Sequence, residues 1–148
     1  DVPVEIAPGA ALDLNGLAQR VQLITGGGTV TNGALASGSA LSPGGDDAVG
    51  TLTLSGVALG AVVYRATLRD AAADVLAFTQ PVDLSALVIV PSDALSLAAS
   101  GRDYIIATAP SFTGTRPVLS GFPSRWKVIV RGTELHLTAL GGTCLTIL

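Results

Sequence analysis

The chain has 148 residues, 49% hydrophobic and 13% charged, with a formal net charge of −3. That length carries one domain with its own core, and the charged share is about half of the usual ~25%. No apolar run approaches the roughly 18 residues of a membrane helix. The single Lys, Lys127, leaves no basic stripe to neutralise phosphates, which argues against nucleic-acid binding. One Cys and one His exclude a Cys-rich zinc site and a disulfide framework within one chain.

The apolar content is mostly Ala, Val, Leu and Ile, with aromatics at 4% and 18 Gly. Small and β-branched residues with many glycines suit short strands and tight turns. Met is absent, Glu occurs twice and Lys once, so the residues that cover exposed helix faces are missing. Thr, Ser, Asn and Asp supply the polarity, a balance common in secreted bacterial fibres and adhesins. The start Asp1-Val2-Pro3-Val4 has neither the basic n-region nor the apolar h-region of a signal peptide. It fits a mature, cleaved product or an excised fragment, and either suits export.

In chain order, Val2–Ile6 and Ala11–Leu14 read as short strands split by Pro8-Gly9, with Val4/Ile6 and Leu12/Leu14 alternating against Glu5 and Asp13. Arg20–Ile24 follows, then Gly26-Gly27-Gly28, then Thr29-Val30-Thr31 ending in a tight Asn32-Gly33 turn. Each of these strands has only two or three inward apolar residues. They cannot close a core alone, but stacked as rungs they can. Residues 1–45 are therefore expected to form solenoid-like rungs, ending in the loop from Ser42 through Asp46-Asp47.

Residues 46–140 carry longer strands. Val49–Leu54 ends at Ser55-Gly56. Ala61–Leu68 places Val62, Tyr64, Ala66 and Leu68 inward. Asp74–Thr79, Val82–Leu84 and Leu87–Val90 follow, and Ser92–Ala99 is a helical turn. Tyr104–Thr108, Lys127–Arg131 and Glu134–Ala139 are strands, the last two joined by Gly132-Thr133 at hairpin spacing. Residues 141–148 add a terminal strand, Thr143–Ile147. The expected fold is all-β: short right-handed β-helix-like solenoid rungs running into a sandwich-like or capped C-terminal half, in a single domain.

The order of Thr29-Val-Thr-Asn-Gly33, Leu41-Ser-Pro-Gly-Gly45 and Gly50-Thr-Leu-Thr-Leu-Ser-Gly56 resembles the autotransporter-associated β-strand repeat of bacterial surface proteins. The continuation is similar to the C-terminal ends of such passengers: Ala73–Leu76, Asp83–Ser85, Tyr104–Thr108, Leu119–Pro123, Trp126–Val128 and Leu135–Thr138. The resemblance spans Gly28 to Leu140. It implies an exported, right-handed β-helical passenger, structural or adhesive, with no catalytic set to carry over. The chain departs from the family in being short, in lacking an outer-membrane barrel sequence, and in continuing to Leu148.

Each candidate site has a bland reading beside the sharp one. Alternation puts Glu134, His136 and Thr138 on the solvent side. A Ser-His-Asp site would need this His, and there is no Gly-x-Ser-x-Gly elbow, so no catalytic residue is assigned. Ser124-Arg-Trp-Lys127 matches Ser-x-x-Lys in form only, because Pro123 precedes it and a strand follows. Asp46, Asp47, Asp70 and Asp74 do not make the oxygen set of a Ca²⁺ site, and Gly26–Gly28 is a turn rather than a phosphate cradle. No metal or cofactor is expected. Trp126 reads as a cap over the solenoid end. With Tyr104 it is also the available aromatic pair for a glycan, since Tyr64 falls inward. Arg65 and Arg69 have a single nearby acid, Asp70. Cys144 reads as a buried apolar residue, with an intermolecular disulfide as the sharper alternative.

The function expected from these readings is a non-enzymatic, exported structural protein. It would assemble into an extracellular filament or surface layer by stacking or strand exchange. The assembling strands would be the terminal ones, through Val2, Val4 and Ile6 or through Thr143, Cys144, Leu145 and Ile147. The partner is then another copy of the chain, with no nucleic acid and no membrane insertion. The alternative is an adhesin or carbohydrate-binding end module of a larger passenger, with a surface glycan as partner.

Overall fold

The computed structural model describes residues 3–45, 48–69, 72–93, 96, 103–114 and 117–139. The first strands are β1 (Val4–Glu5), β2 (Ala11–Asp13), β3 (Ala18–Gln19), β4 (Ile24–Thr25), β5 (Thr29–Leu35) and β6 (Ala40–Ser42). The middle of the chain holds β7 (Thr51–Leu59), β8 (Val62–Ala66), β9 (Leu68–Arg69), β10 (Ala72–Ala73), β11 (Val75–Phe78) and β12 (Val82–Asp83). A 3₁₀ turn at Leu84–Ala86 leads to β13 (Leu87–Pro91), then β14 (Asp103–Thr108), β15 (Phe112–Thr113), β16 (Val118–Leu119), β17 (Trp126–Arg131) and β18 (Glu134–Ala139).

The fold is all-β, with parallel and mixed sheets. One sheet has the order β1-β4-β6-β8-β13-β16 and is parallel throughout. The other has the order β2-β5-β7-β11-β14-β18-β17, parallel as far as β14 and antiparallel through the closing hairpin. From β4 to β14 the chain returns to the two sheets in turn, each return laying a strand beside the last one in that sheet, while β9–β10 and β12–β15 form two separate pairs. The first sheet keeps Val4, Ile24, Leu41, Tyr64, Ile89 and Leu119 in register, and the second keeps Leu12, Val30, Leu54 and Phe78. These rows point between the sheets, and their members from Ile24 to Ile89 and from Val30 to Phe78 are buried. Equivalent positions stacked at strand spacing give a continuous apolar column from strands too short to close a core singly.

Several sequence-based boundaries shift. Asn32-Gly33 does not reverse the chain, because β5 runs through it. Asn32 takes a left-handed conformation (φ 61°), and the next rung bends at the same place with Gly56 at φ 68°, so β7 also continues past its expected end. The strand turns a corner there rather than folding back, because parallel neighbours hold both arms: β2 and β3 on one side of β5, β7 on the other. The expected strand Arg20–Ile24 is replaced by β3, just before it, and β4, which begins at its last residue. Ala61–Leu68 divides into β8 and β9, Val82–Leu84 ends at Asp83, and Val2–Ile6 shortens to Val4–Glu5. The strands β15 and β16 carry too few apolar residues to stand out in the sequence. Of the helical turn Ser92–Ala99, only Ser92, Asp93 and Ser96 lie within the described residues. There the Asp93 carboxylate accepts from the Ser96 N–H at 2.9 Å, as a cap does. Gly132-Thr133 does join an antiparallel pair.

Candidate functional site

The residues nominated by the sequence fall in two places, with a buried polar corner between them. At the C-terminal end of the stack, Trp126 opens β17 and Tyr104 lies in β14, their ring centroids 6.0 Å apart. Phe122 meets Trp126 edge-on at 6.1 Å, and the Arg125 guanidinium lies 5.7 Å from its ring centre. Trp126 is 4% exposed and Tyr104 5% exposed, so neither ring offers the open face on which a sugar would stack. Both rings belong to the core cluster, and Phe122 packs against it. At the other end, Val4 pairs with Ile24 and Ile6 is buried against the core. Val2, Thr143, Cys144, Leu145 and Ile147 lie outside the described residues, as do Asp46, Asp47 and Asp70.

His136 corrects the sequence reading. It shares a face with Glu134 and Thr138, yet it is only 6% exposed. The reason is its strand: β18 lies between β14 and β17, so Ile105 and Ile129 flank His136 across the ladders. Along the face, Nδ1 lies 3.0 Å from an Asp103 carboxylate oxygen and Nε2 lies 2.9 Å from Glu134. As the imidazolium the ring donates on both sides; the neutral ring can donate on one only. The Thr138 hydroxyl donates to Asp103 at 2.7 Å, and Arg131 reaches the same carboxylate at 3.2 Å. These donors, Thr138 first, hold the Asp103 carboxyl below the usual carboxylate range. With both nitrogens facing carboxylates, the cluster is built as a cross-link between β14 and the closing hairpin. Asp103→Ala is expected to cost about 1–2 kcal/mol in urea unfolding and to speed amide exchange selectively in β17 and β18.

Asp74, one of the acids considered as a Ca²⁺ oxygen donor, is fully buried. Its carboxylate accepts from the Gly50 N–H at 2.9 Å and, on its other oxygen, from the Thr67 N–H at 3.0 Å, with a further main-chain donor from Gly44. Burial pushes its pKa up to about 6 against the pull of those donors. Beside it the Tyr64 hydroxyl lies 2.8 Å from the carbonyls of both Asp74 and Ile106, tying three passes of the chain together. Burial, with the neighbouring Asp74 second, pushes the Tyr64 phenol well above its ordinary range. Arg69, read as having Asp70 as its acid, forms an ion pair with Asp93 at 2.8 Å. Among the described residues, no three His, Cys, Asp or Glu side chains are grouped to hold a metal.

The two ends of the stack differ. At the C-terminal end of the second sheet, β14 is covered by the antiparallel hairpin. At the N-terminal end, β1 and β2 each pair on one side only among the described residues, as does β16 at the far end of the first sheet. The Val4 and Ile6 N–H groups donate inward to Leu23 and Thr25, and that of Leu14 to Thr31. By strand alternation the main-chain groups of Glu5, Ala11 and Asp13 therefore face outward from the open edges. A scan against protein-family models, a search of curated proteins and a search of solved structures each gave no match to this chain.

Proposed function

We propose that the alternating passes form a short β-solenoid, and that the chain is a non-enzymatic, exported structural protein whose open first rung stacks on another rung of the same kind. The observation that carries this reading is the asymmetry of the stack. Among the described residues, the second sheet ends in an antiparallel hairpin with a buried Trp126, whereas β1, β2 and β3 at the other end are parallel strands each paired on one side only; β16, last in the first sheet, is also paired on one side only. Unpaired edges of parallel sheet are templates for a further strand. The low charge and the Thr- and Ser-rich surface support placement outside the cell; two first rungs alone close as a pair of copies, and a filament or surface layer grows where a second contact joins the pairs.

Glu5 and Asp13 put negative charge on the joining rung, a device that weakens unwanted edge pairing. Stacking between copies should therefore strengthen with salt, as screening reduces the repulsion. Ala11→Pro is the direct test, read by light scattering and negative-stain electron microscopy. It removes an outward N–H without breaking an inward ladder bond, so association should be lost while the fold is kept. Glu5→Gln should strengthen association. A wild-type chain that stays monomeric at all concentrations and salts overturns the proposal.

A further inference from the structure

We infer that the gap between the Val57–Leu59 arm of β7 and β12 is an acceptor groove for an extended segment, and that its occupant is Thr143–Ile147 of a second copy of this chain. Before the corner, β7 and β11 are paired from Thr51–Val75 through Leu54–Phe78. Beyond it the pairing stops. The Gln80 side chain takes the next main-chain groups in line: its Oε1 accepts from the Gly56 N–H at 2.9 Å, and its Nε2 donates to the Val57 carbonyl at 2.8 Å. Pro81 has no N–H to offer. β12 then pairs forward with β15 instead of back with β7.

The result is a cavity of about 220 Å³ whose apolar wall is Val57, Leu59, Phe78, Pro81 and Val82, with Asp83 at the rim. Its two sides are strand edges. The Gly60 N–H donates back to Leu35, so the N–H and C=O of Leu59 alternate into the gap. On the far side the Val82 N–H donates forward to Ser111, so the Asp83 N–H faces the gap, while its C=O serves the 3₁₀ turn that Asp83 caps. An apolar floor with the Leu59 main-chain groups on one side and the Asp83 N–H on the other fits an inserted strand with an aliphatic side chain pointing down.

Thr143-Cys-Leu-Thr-Ile147 has that character: uncharged, alternating, with Leu145 placed to fill the floor. The geometry of the chain end favours another copy as donor. β18 ends at Ala139, beside the Thr138–Asp103 pair at the start of β14. The groove lies past the opposite end of that sheet and round the corner, at the level of Phe112, which pairs with Val82. The run from Asp103 to Phe112 covers about 30 Å of extended chain. The four steps from Ala139 to Thr143 span at most about 14 Å. The contour round that corner is about twice this reach, and the donor is taken as a second copy. The inference rests on the self-association reading only in taking a second copy as donor.

The test titrates a fluorescent peptide of residues 141–148, carrying Cys144→Ser, with the full-length Ala11→Pro chain and reads anisotropy. Edge stacking is suppressed in that background, so failure of the stacking proposal and failure of the groove are read separately. Saturable binding is expected. It should weaken at least ten-fold with Ala58→Arg, which adds bulk at an exposed position on the groove mouth, and ten-fold again when the peptide carries Leu145→Asp. An unchanged thermal melt of the Ala58→Arg chain confirms its fold. Equal binding to the Ala58→Arg chain overturns the site. So does absence of binding both to the Ala11→Pro chain and to the same chain carrying Leu145→Asp. Binding only to the latter means that a chain's own segment fills its groove, and overturns the second copy as donor.

Discussion

Stability is expected to fall as pH rises from about 4 to 7, and Asp74→Asn is expected to abolish that fall. The Asp74 pKa is raised from 3.8 in the unfolded chain to about 6 in the fold, because burial penalises the carboxylate. The folded state therefore holds a proton that the unfolded state has already lost. Its contribution is fully present below pH 3.8 and lost as pH rises through 6. A pKa difference of that size between the two states corresponds to about 3 kcal/mol of stability. Asp93, lowered to about 2 by Arg69 first, and Asp103, lowered by Thr138 first, have the opposite sign. Their contributions are present above the unfolded pKa and disappear as pH falls below it. The stability maximum should thus lie near pH 4, set by these opposed carboxylates. In Asp74→Asn, the amide nitrogen must face one of the main-chain N–H groups that the carboxylate serves, at Gly50 or Thr67. The variant should lose about 1–3 kcal/mol at pH 4 and show a flat profile to pH 7. Urea unfolding across that range checks both features. A wild-type profile that rises with pH over the interval contradicts the buried proton.

Gly26→Ala is expected to detach the first rung. Gly26 has φ 103°, and a Cβ built on it would run into the Ile6 carbonyl oxygen and lie 2.9 Å from its carbonyl carbon. Both obstacles are backbone, so neither can swing aside. The substitution combines left-handed strain of about 1–3 kcal/mol with an overpacking cost of about 1–3 kcal/mol. That exceeds what two residues of β1 can return through their pairing with β4. The expected result is a chain that keeps its later passes while the amides of Val4 and Ile6, bonded to Leu23 and Thr25, lose protection from exchange. The β1 edge disappears with them and β4 becomes the edge of that sheet, so the stacking contacts made through β1 should be lost while those of β2 remain. Amide exchange and light scattering on one sample check the two effects together.

What the sequence carried well was periodicity. Alternation at Leu52/Leu54, at Val62/Tyr64/Ala66 and at Leu135/Leu137 placed each of these residues inside, because a strand's two faces are set by parity alone. What it could not carry was the third dimension of the same pattern. Asn32-Gly33 has the local chemistry of a reversing turn, and only its parallel neighbours make it a corner. His136 has the alternation of a surface residue; its burial depends on β18 being a central strand and on Asp103, far away in sequence. Asp74 opens an expected strand after three alanines, and nothing local foretells the main-chain donors at Gly44, Gly50 and Thr67 that its carboxylate meets. The groove beside β7 had a signal that could have been read. Gln80-Pro81 directly after an alternating strand pairs an amide able to bond main chain with a residue that cannot continue a ladder.

The arrangement of pairings also sets an order of folding. Within the two large sheets, the β17–β18 hairpin joins neighbours across a two-residue connection, whereas the parallel pairs there join residues a whole pass apart, as from Ile24 to Leu41 or Tyr64 to Ile89. Closing a short loop is fast, and closing a long one must first overcome its entropy. Nucleation therefore belongs to the C-terminal hairpin, with β14 docking on it and earlier passes adding one at a time towards β1. Growth from a fixed end meets the same loop cost at each step, whatever the number of passes, so chain length enters the rate only weakly. Removing passes one at a time from the β1 side should therefore leave the folding rate nearly unchanged as long as β14 and the hairpin remain.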